Sequence, residues 1–459
     1  MTTLAEQLEK IVSGPQHPGH DYILSKYTYE DIFAIAGTLQ KHYFSSEKAE
    51  SICLCLKDKG LIAAALLAAL TRPVKLIIPH FFSESVLWEM HQAHAFSKAL
   101  LEKPVDLPPE VEIIVPARSA SDRTRFDNSF VRRPDSEIVK LFTGGSTCVP
   151  RIWSKTIRNL FAEAIYHRGK LQVSPDDRFA ATVPPLHIYG LLFSVLTPFV
   201  ASASVIDDVL TYPHEIQTAI SRNRASVLVS IPLHYKMLTE ITFQPGSLRH
   251  ALSSAAELDT AVGRSFYAQT GLGITEIFGS TETGGIASRL HTEENKYFKP
   301  FDCVGWKTTG NRLAIRSDFI SPELPVDEDG FFITSDRVKI PADDGFELAG
   351  RADLVVKVAG KRVDLNEVKN AITSIPDVKD AAVIYEASGN GRGGEIRTLV
   401  ATDMDSGEIR KVLRGSLQSY AVPRRIRVVD KIPLSPAGKY ENTEIRKLLE
   451  ECSNNEKRN

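Results

Sequence analysis

Phe278-Gly-Ser-Thr-Glu282 sets an aromatic ring, two hydroxyls and a carboxylate within five residues. At the end of a strand, such a group faces the crevice where α/β folds bind ligands. A carboxylate beside phosphate-binding hydroxyls suits Mg²⁺, which takes oxygen ligands shared between protein and substrate phosphates. Upstream, Thr143-Gly-Gly-Ser-Thr-Cys-Val-Pro-Arg151 is a Gly/Ser/Thr loop after the apolar run Ile138-Val-Lys-Leu-Phe. It offers free backbone N–H groups and hydroxyls, and its small residues let a phosphate come close. The Walker order, four residues and then Gly-Lys-Ser/Thr, is absent, which argues against a P-loop NTPase. A loop of this composition standing alone is more often a plain turn. His187, in Pro184-Pro-Leu-His-Ile-Tyr-Gly190, sits in apolar company, where a single imidazole is usually a core or loop residue.

A third group lies between Asp336 and Lys361. Phe331-Phe-Ile-Thr and Leu354-Val-Val-Lys-Val bracket Ala342-Asp-Asp-Gly345, and an Asp-Gly pair between β-rich runs signals a hairpin. Gly350-Arg351-Ala-Asp353 follows it. Two readings stand: a hinge, in which a few residues absorb a large backbone change, or an ordinary hairpin with a solvated Arg-Asp pair.

The elements that must position these residues read as α/β. Thr28-x-x-Asp31 before apolar periodicity opens a helix. Ser51-Ile-Cys-Leu-Cys-Leu is a strand, Leu61 to Leu70 a buried Ala-rich helix, and Val74-Lys-Leu-Ile-Ile the next strand. Strand, helix, strand implies a right-handed βαβ unit in a mostly parallel sheet. Val111-Glu-Ile-Ile-Val, Phe179-Ala-Ala-Thr-Val, Ser226-Val-Leu-Val-Ser and His250-Ala-Leu-Ser repeat the strand signal, while Ser119 to Asp135 reads as a polar surface connection. From Ala352 a smaller α+β unit follows: a helix starting at Asp364, strands at 378–385, 396–401 and 425–429, a helix over 406–419 and a closing helix after Tyr440.

Bulk composition narrows the class. At 459 residues the chain exceeds one hydrophobic core. With 43% hydrophobic and 24% charged residues and a net charge of −2, nothing points to nucleic acid or to a membrane surface. The five cysteines have no CxxC spacing, so neither a zinc site nor a disulfide framework is suggested, and a reducing cytoplasm fits. The N-terminus lacks the order of a signal peptide. The longest apolar run, Leu61 to Leu70, is about half of what a membrane span needs.

In their order these motifs resemble the acyl-adenylate-forming superfamily of acyl-CoA synthetases, peptide-synthetase adenylation domains and firefly luciferase. The resemblance runs from about Ile138 to the end; the first 140 residues match only in general α/β character. It implies a large adenylation domain over 1–351 with mostly parallel sheets layered by helices. A small mobile α+β C-terminal domain then spans 352–459, hinged at Asp353. The family's phosphate loop is similar to Thr143, Gly144, Gly145, Ser146, Thr147 and Arg151, with Cys148 where Gly is usual and Arg151 where Lys is usual. Arg151 keeps the charge on a larger, planar head.

By the same resemblance, His187 and Gly190 border the acyl pocket, and Ala255 in Ser253-Ser-Ala-Ala-Glu-Leu258 flanks the adenine. Phe278 stacks on it, with Gly279 and Ser280 beside it; Thr281 contacts the α-phosphate and Glu282 holds Mg²⁺. Asp336 and Arg351 bind the ribose hydroxyls, Gly360 and Lys361 line a thiol tunnel, and Lys439 in Pro433-Leu-Ser-Pro-Ala-Gly-Lys is the catalytic lysine of adenylation.

The activity so implied is an acid–thiol ligase using ATP and Mg²⁺. It activates an aryl or medium-chain carboxylic acid as acyl-AMP and passes it to CoA or to the phosphopantetheine arm of an acyl carrier protein. A catalytically degenerate nucleotide-binding interaction module is the alternative, motivated by Cys148 and Arg151 and opposed by Glu282, Asp336 and Lys439. A luciferase-type oxidative decarboxylase has nothing in its favour.

Overall fold

A computed structural model of the chain describes residues 2–79, 82–116, 124–143, 151–292, 297–342, 344–358, 361–387, 394–435, 438 and 440–455. It divides into two compact units, Met1–Gly305 with Arg316–Gly330, and Trp306–Ile315 with Phe331–Asn459.

The first unit is built on two large sheets. One has the order Glu112–Ile114, Lys98–Leu101, Glu50–Cys55, Val74–Ile78, Glu137–Thr143, Arg151–Thr156. Its strands run parallel except the last, which returns antiparallel beside Glu137–Thr143. The other has nine strands, with Ile274–Ser280, His250–Ser253, Val227–Ser230, Arg178–Ala181, Ser204–Val209 and Asp21–Ile23 forming its parallel centre. Gly284–His291 adds antiparallel to Ile274–Ser280.

The helix Lys59–Ala69 is buried along its whole length. It packs on the helix Tyr29–His42, the strands Val74–Ile78 and Asp21–Ile23, and the π-helical turn Leu192–Leu196. It thus lies between elements of both sheets. Its alanines keep that layer thin, and each fully buried Leu or Ile contributes roughly 1.5–3 kcal/mol. Thr28 and Asp31 cap Tyr29–His42 reciprocally, as the Thr-x-x-Asp pattern predicts.

The second unit holds a four-stranded sheet, Gly305–Thr309, Arg312–Arg316, Phe332–Ala342 and Gly345–Arg351. It also holds the hairpin Val355–Val358/Lys361–Asp364 and a three-stranded sheet of Asp380–Ala387, Gly394–Ala401 and Arg425–Val429. The helices Leu365–Thr373 and Ser406–Ser416 cover one face of the three-stranded sheet through Val368, Ile372, Ile409 and Leu413. Ile445 and Leu449 of the closing helix, Asn442–Asn455, cover the other.

The expected Asp-Gly hairpin forms, but with a different partner. Phe332–Ala342 pairs with Gly345–Arg351, and Val355–Val358 turns instead onto Lys361–Asp364. Gly345–Arg351 has no β-branched residue, but it follows the turn directly and so closes the shorter loop. The strand Lys98–Leu101, inserted between Glu50–Cys55 and Glu112–Ile114, has no counterpart in the sequence reading. In this division the strands Phe332–Ala342 and Gly345–Arg351 group with the C-terminal elements.

Candidate active site

In the first unit, the strand Ile274–Ser280 ends in a tight turn that presents Thr281 and Glu282. Two glycines allow the turn. A side chain on Gly279 would stand 2.3 Å from the Gly284 carbonyl oxygen, and Gly284 has a φ of +66°. The Ser280 and Thr283 hydroxyls lie 2.9 Å apart, and the Ser280 N–H donates to Thr283 Oγ1 at 3.1 Å. Thr281 is buried and Glu282 half-buried.

The turn is held from behind. The Glu282 carbonyl accepts from the Ser321 N–H at 2.8 Å and from Lys155 Nζ at 3.3 Å. Lys155 Nζ also donates to the Phe319 carbonyl at 3.0 Å. This ammonium is fully buried, and desolvation pushes its pKa down to about 8; Glu163, Glu282 and Glu323 offset part of that. Asn159 fastens the same loop through the carbonyls of Asp318 and Ile320, at 2.7 and 3.0 Å. Glu163, on the helix Ile157–Lys170, accepts from the Gly285 N–H at 2.7 Å. Lys155, Asn159 and Glu163 escaped the sequence reading: no local motif marks them, and only tertiary packing gives each a target.

Beside this turn, Ser254 donates to the Ile277 carbonyl at 2.8 Å, which ties the Ser253-Ser-Ala-Ala segment to the strand carrying Phe278. Ala255 adopts a φ of +77°. A left-handed non-glycine costs on the order of 1–3 kcal/mol and is held by its surroundings, a pattern that clusters at functional sites. The half-buried Phe278 ring lies 5.5 Å from Phe298, over which the Arg289 guanidinium sits at 4.5 Å. His187 precedes the short helix Ile188–Leu191 as its N-cap residue. Gly190 has no room for a side chain, since a Cβ there would stand 2.0 Å from the Pro184 carbonyl oxygen.

Arg151, exposed, opens the strand Arg151–Thr156 in register with Thr143. The rest of the phosphate loop, Gly144, Gly145, Ser146 and Thr147, lies outside the described residues, as do Gly360 and Lys439. Among the described residues no group of three or more His, Cys, Asp or Glu side chains is arranged to hold a metal. No helix among them is long and apolar enough to cross a membrane.

In the second unit, Asp336 and Arg351 are register partners across the Phe332–Ala342/Gly345–Arg351 pair. Arg351 Nη1 donates to Asp336 at 3.3 Å, while its Nε and Nη2 grip both oxygens of Asp353 at 2.9 and 2.7 Å. Gly350 has a φ of +86°, and a Cβ there would lie 3.3 Å from Arg337 Nη2. Arg337 in turn forms an ion pair with Asp364, the N-cap of Leu365–Thr373. Lys361 is exposed at the start of its strand.

Comparison with known proteins follows the same two parts. The family of AMP-binding enzymes matches residues 64–332, and the AMP-binding enzyme C-terminal domain matches residues 367–439. Sulfoacetate–CoA ligase of Cupriavidus necator is 24% identical over 95% of this chain and 96% of its own. Medium-chain fatty-acid–CoA ligase of Escherichia coli is 23% identical over 82% of this chain and 70% of its own. The 3-hydroxybenzoate–CoA/4-hydroxybenzoate–CoA ligase of Thauera aromatica is 23% identical over 69% of this chain and 67% of its own. Among solved structures, ATP-bound MatB from Rhodopseudomonas palustris has a TM-score of 0.81 at 19% identity, covering 97% of this chain and 98% of that one. O-succinylbenzoate coenzyme A synthetase (MenE) from Bacillus subtilis, in complex with ATP and magnesium ion, reaches 0.80 at 15% identity, covering 96% and 99%. At such identities these structures share the fold.

Proposed function

This chain belongs to the family of AMP-binding enzymes, and from that premise we propose how its residues divide the work of an AMP-forming acid–thiol ligase. The enzyme activates a carboxylic acid with ATP as an acyl-AMP and transfers the acyl group to CoA. A carboxylate oxygen attacks the α-phosphorus, the bond to the bridging oxygen breaks and pyrophosphate leaves. The thiol then attacks the acyl carbon and AMP leaves. No general base is required in the first step, since the nucleophile is already ionised.

In this reading the Thr143–Thr147 loop and Arg151 take the phosphates, and Phe278 and Ala255 border the adenine. Asp336 and Arg351 take the ribose hydroxyls, and Thr281 donates to the α-phosphate. Lys439 offsets the charge that grows on the phosphorus oxygens. Glu282 brings one carboxylate to that turn, which suits Mg²⁺, a cation that keeps waters and substrate phosphates as its other ligands. When bound there, Mg²⁺ neutralises phosphate charge. His187 and Gly190 border the acyl group. Asp353 serves as the hinge between domains meeting at 351/352, and Gly360 and Lys361 line the path of the pantetheine arm.

The observation that supports this reading is the turn after Ile274–Ser280: its backbone is fixed by Lys155, Ser321 and two glycines, and it presents Thr281 and Glu282. Free, buried Cys53 and Cys55 thiols, with sulfurs 3.4 Å apart, agree with a reducing cytoplasm. The relatives are named as ligases, so the silent-module alternative gains nothing from them.

The test is pyrophosphate release with ATP and Mg²⁺ over a panel of aryl and aliphatic acids, with and without CoA. Release that depends on the acid, with acyl-CoA formed on adding CoA, is expected. Release that CoA leaves unchanged would shift the acceptor to a carrier-protein arm. ATP binding without release for any acid would overturn the ligase.

A further inference from the structure

A buried ion pair joins the strands Ile274–Ser280 and Gly284–His291. Glu276 and Arg289 are register partners, both buried. Arg289 Nε donates to Glu276 Oε2 at 2.6 Å, and His291 Nε2 donates to the same oxygen at 2.7 Å. Replacing such a pair by apolar residues of similar volume is often neutral for stability, so stability alone does not account for it.

The pair reaches two further segments. Glu276 Oε1 accepts from the Leu258 N–H at 2.9 Å, and Arg289 Nη2 lies 3.4 Å from Glu257. With the bond from Ser254 to the Ile277 carbonyl, this ties both ends of the segment in which Ala255 is held at a φ of +77°. On the other side, Phe298 precedes the strand Lys299–Pro300, which pairs antiparallel with Gly284–His291 and so sets Phe298 across from Arg289. The guanidinium lies 4.5 Å from the centre of this buried ring, and the ring in turn packs on Phe278 at 5.5 Å with 50° between the planes. One side chain thus touches the supports of two walls: the Ala255 segment through Glu276 and Glu257, and Phe278 through Phe298. A guanidinium suits that place, because its planar face stacks on an aromatic ring while its edge donates to carboxylates.

We propose that Arg289 is a positioning residue for the nucleotide: it fixes the separation of Phe278 from the Ala255 segment and so sets the grip on the base. This rests on the ligase reading, in which Phe278 and Ala255 border the adenine. Wall spacing matters to such a grip, since a gap of about 0.5–1 Å forfeits a quarter to a half of the dispersion attraction between facing atoms. Arg289 acts through Phe298 and Glu276, so its effect belongs to the adenine and not to the phosphates or the acid.

The experiment measures pyrophosphate release against ATP and against the acid that the wild type uses best, in the wild type, Arg289→Met and Phe298→Leu. Dissociation constants of AMP and of inorganic pyrophosphate, by calorimetry, accompany the rates. Arg289→Met should raise the KM for ATP about tenfold and leave kcat and the KM for the acid within about threefold, because uniform binding of the nucleotide is what is lost. Phe298→Leu should raise the KM for ATP about threefold or more in the same selective way. The dissociation constant of AMP should rise with the KM for ATP, while that of pyrophosphate, which has no base, stays the same. An unchanged KM for ATP in a folded variant would overturn the proposal. A fall in kcat with KM unchanged, or an equal weakening of AMP and pyrophosphate, would make the role structural and overturn it too. Phe298→Leu leaves the Arg289–Glu276 pair in place and answers the question if Arg289→Met fails to fold. A wild type that releases no pyrophosphate with any acid would sink the ligase reading, and this proposal with it; selective or uniform losses confined to the variants bear on Arg289 alone.

Discussion

Replacing Lys155 by Met tests whether a buried ammonium anchors the turn that carries Glu282. Methionine keeps the length and apolar stem of the side chain while removing the donors to Glu282 and Phe319. Burial pushes the lysine from 10.5 down to about 8. Below pH 8 the folded and unfolded chains both hold this proton. Between pH 8 and 10.5 the unfolded chain alone holds most of it, so raising the pH favours the folded state. The full gain for this shift is about 3.4 kcal/mol, of which about 2.5 kcal/mol falls between pH 7 and pH 10. At pH 7 the variant loses two carbonyl partners, worth roughly 1–3 kcal/mol each, but sheds an ammonium desolvation cost of similar size. Its net stability change there should be within about 2 kcal/mol. Urea midpoints of the wild type and Lys155→Met, followed by tryptophan fluorescence from pH 7 to pH 10, read the difference directly. The wild type should gain on the variant by about 2.5 kcal/mol as the pH rises. A difference that is flat, or that moves the other way, would refute the assignment of a charged, desolvated lysine.

Three further outcomes are expected. Gly190→Ala forces a methyl to 2.0 Å from the Pro184 carbonyl oxygen; it should cost on the order of 2–3 kcal/mol in urea denaturation, where an ordinary helical Gly→Ala change stabilises. Glu282→Gln should lower acid-dependent pyrophosphate release by about 100-fold and raise the Mg²⁺ concentration needed for half-maximal rate, while leaving the urea midpoint within about 1 kcal/mol. Lys439→Ala should abolish adenylate formation yet still convert a supplied acyl-adenylate and CoA into acyl-CoA; equal loss of both half-reactions would contradict a lysine confined to the first.

What the sequence revealed, and what it hid, follows from the range of the interactions involved. The parallel strands, the Thr28 cap and the strand Glu137–Thr143 rest on local patterns, and each stands where the spacing places it. Phe278 to Glu282 were legible because five consecutive residues carry the chemistry. The hairpin partner of Phe332–Ala342 was misread because Val355–Val358 carries the stronger β signal, while the shorter loop favours Gly345–Arg351. Lys155, Asn159 and Glu163 were invisible for another reason. Their targets at Phe319, Asp318 and Gly285 lie more than 100 residues away, where periodicity says nothing.

In the nine-stranded sheet Thr182 bonds Ser230, Ser230 is in register with Ser253 and Ser253 with Glu276, and this matched polar level has a consequence for assembly of the chain. Side chains alternate along a strand, so a slip of one residue in any of these parallel pairings would swing Thr182, Ser230, Ser253 or Glu276 to the opposite face and leave its former neighbours unmatched. Each such error strands a buried polar group at a cost of roughly 1–3 kcal/mol, and for Glu276, bonded to Arg289 and His291, it separates a buried charge from its partners. Strands made of Val, Leu, Ile and Ala alone would tolerate several alignments at similar energy. Polar residues matched at one height favour a single alignment, and so guard the sheet against misfolding before any substrate is present.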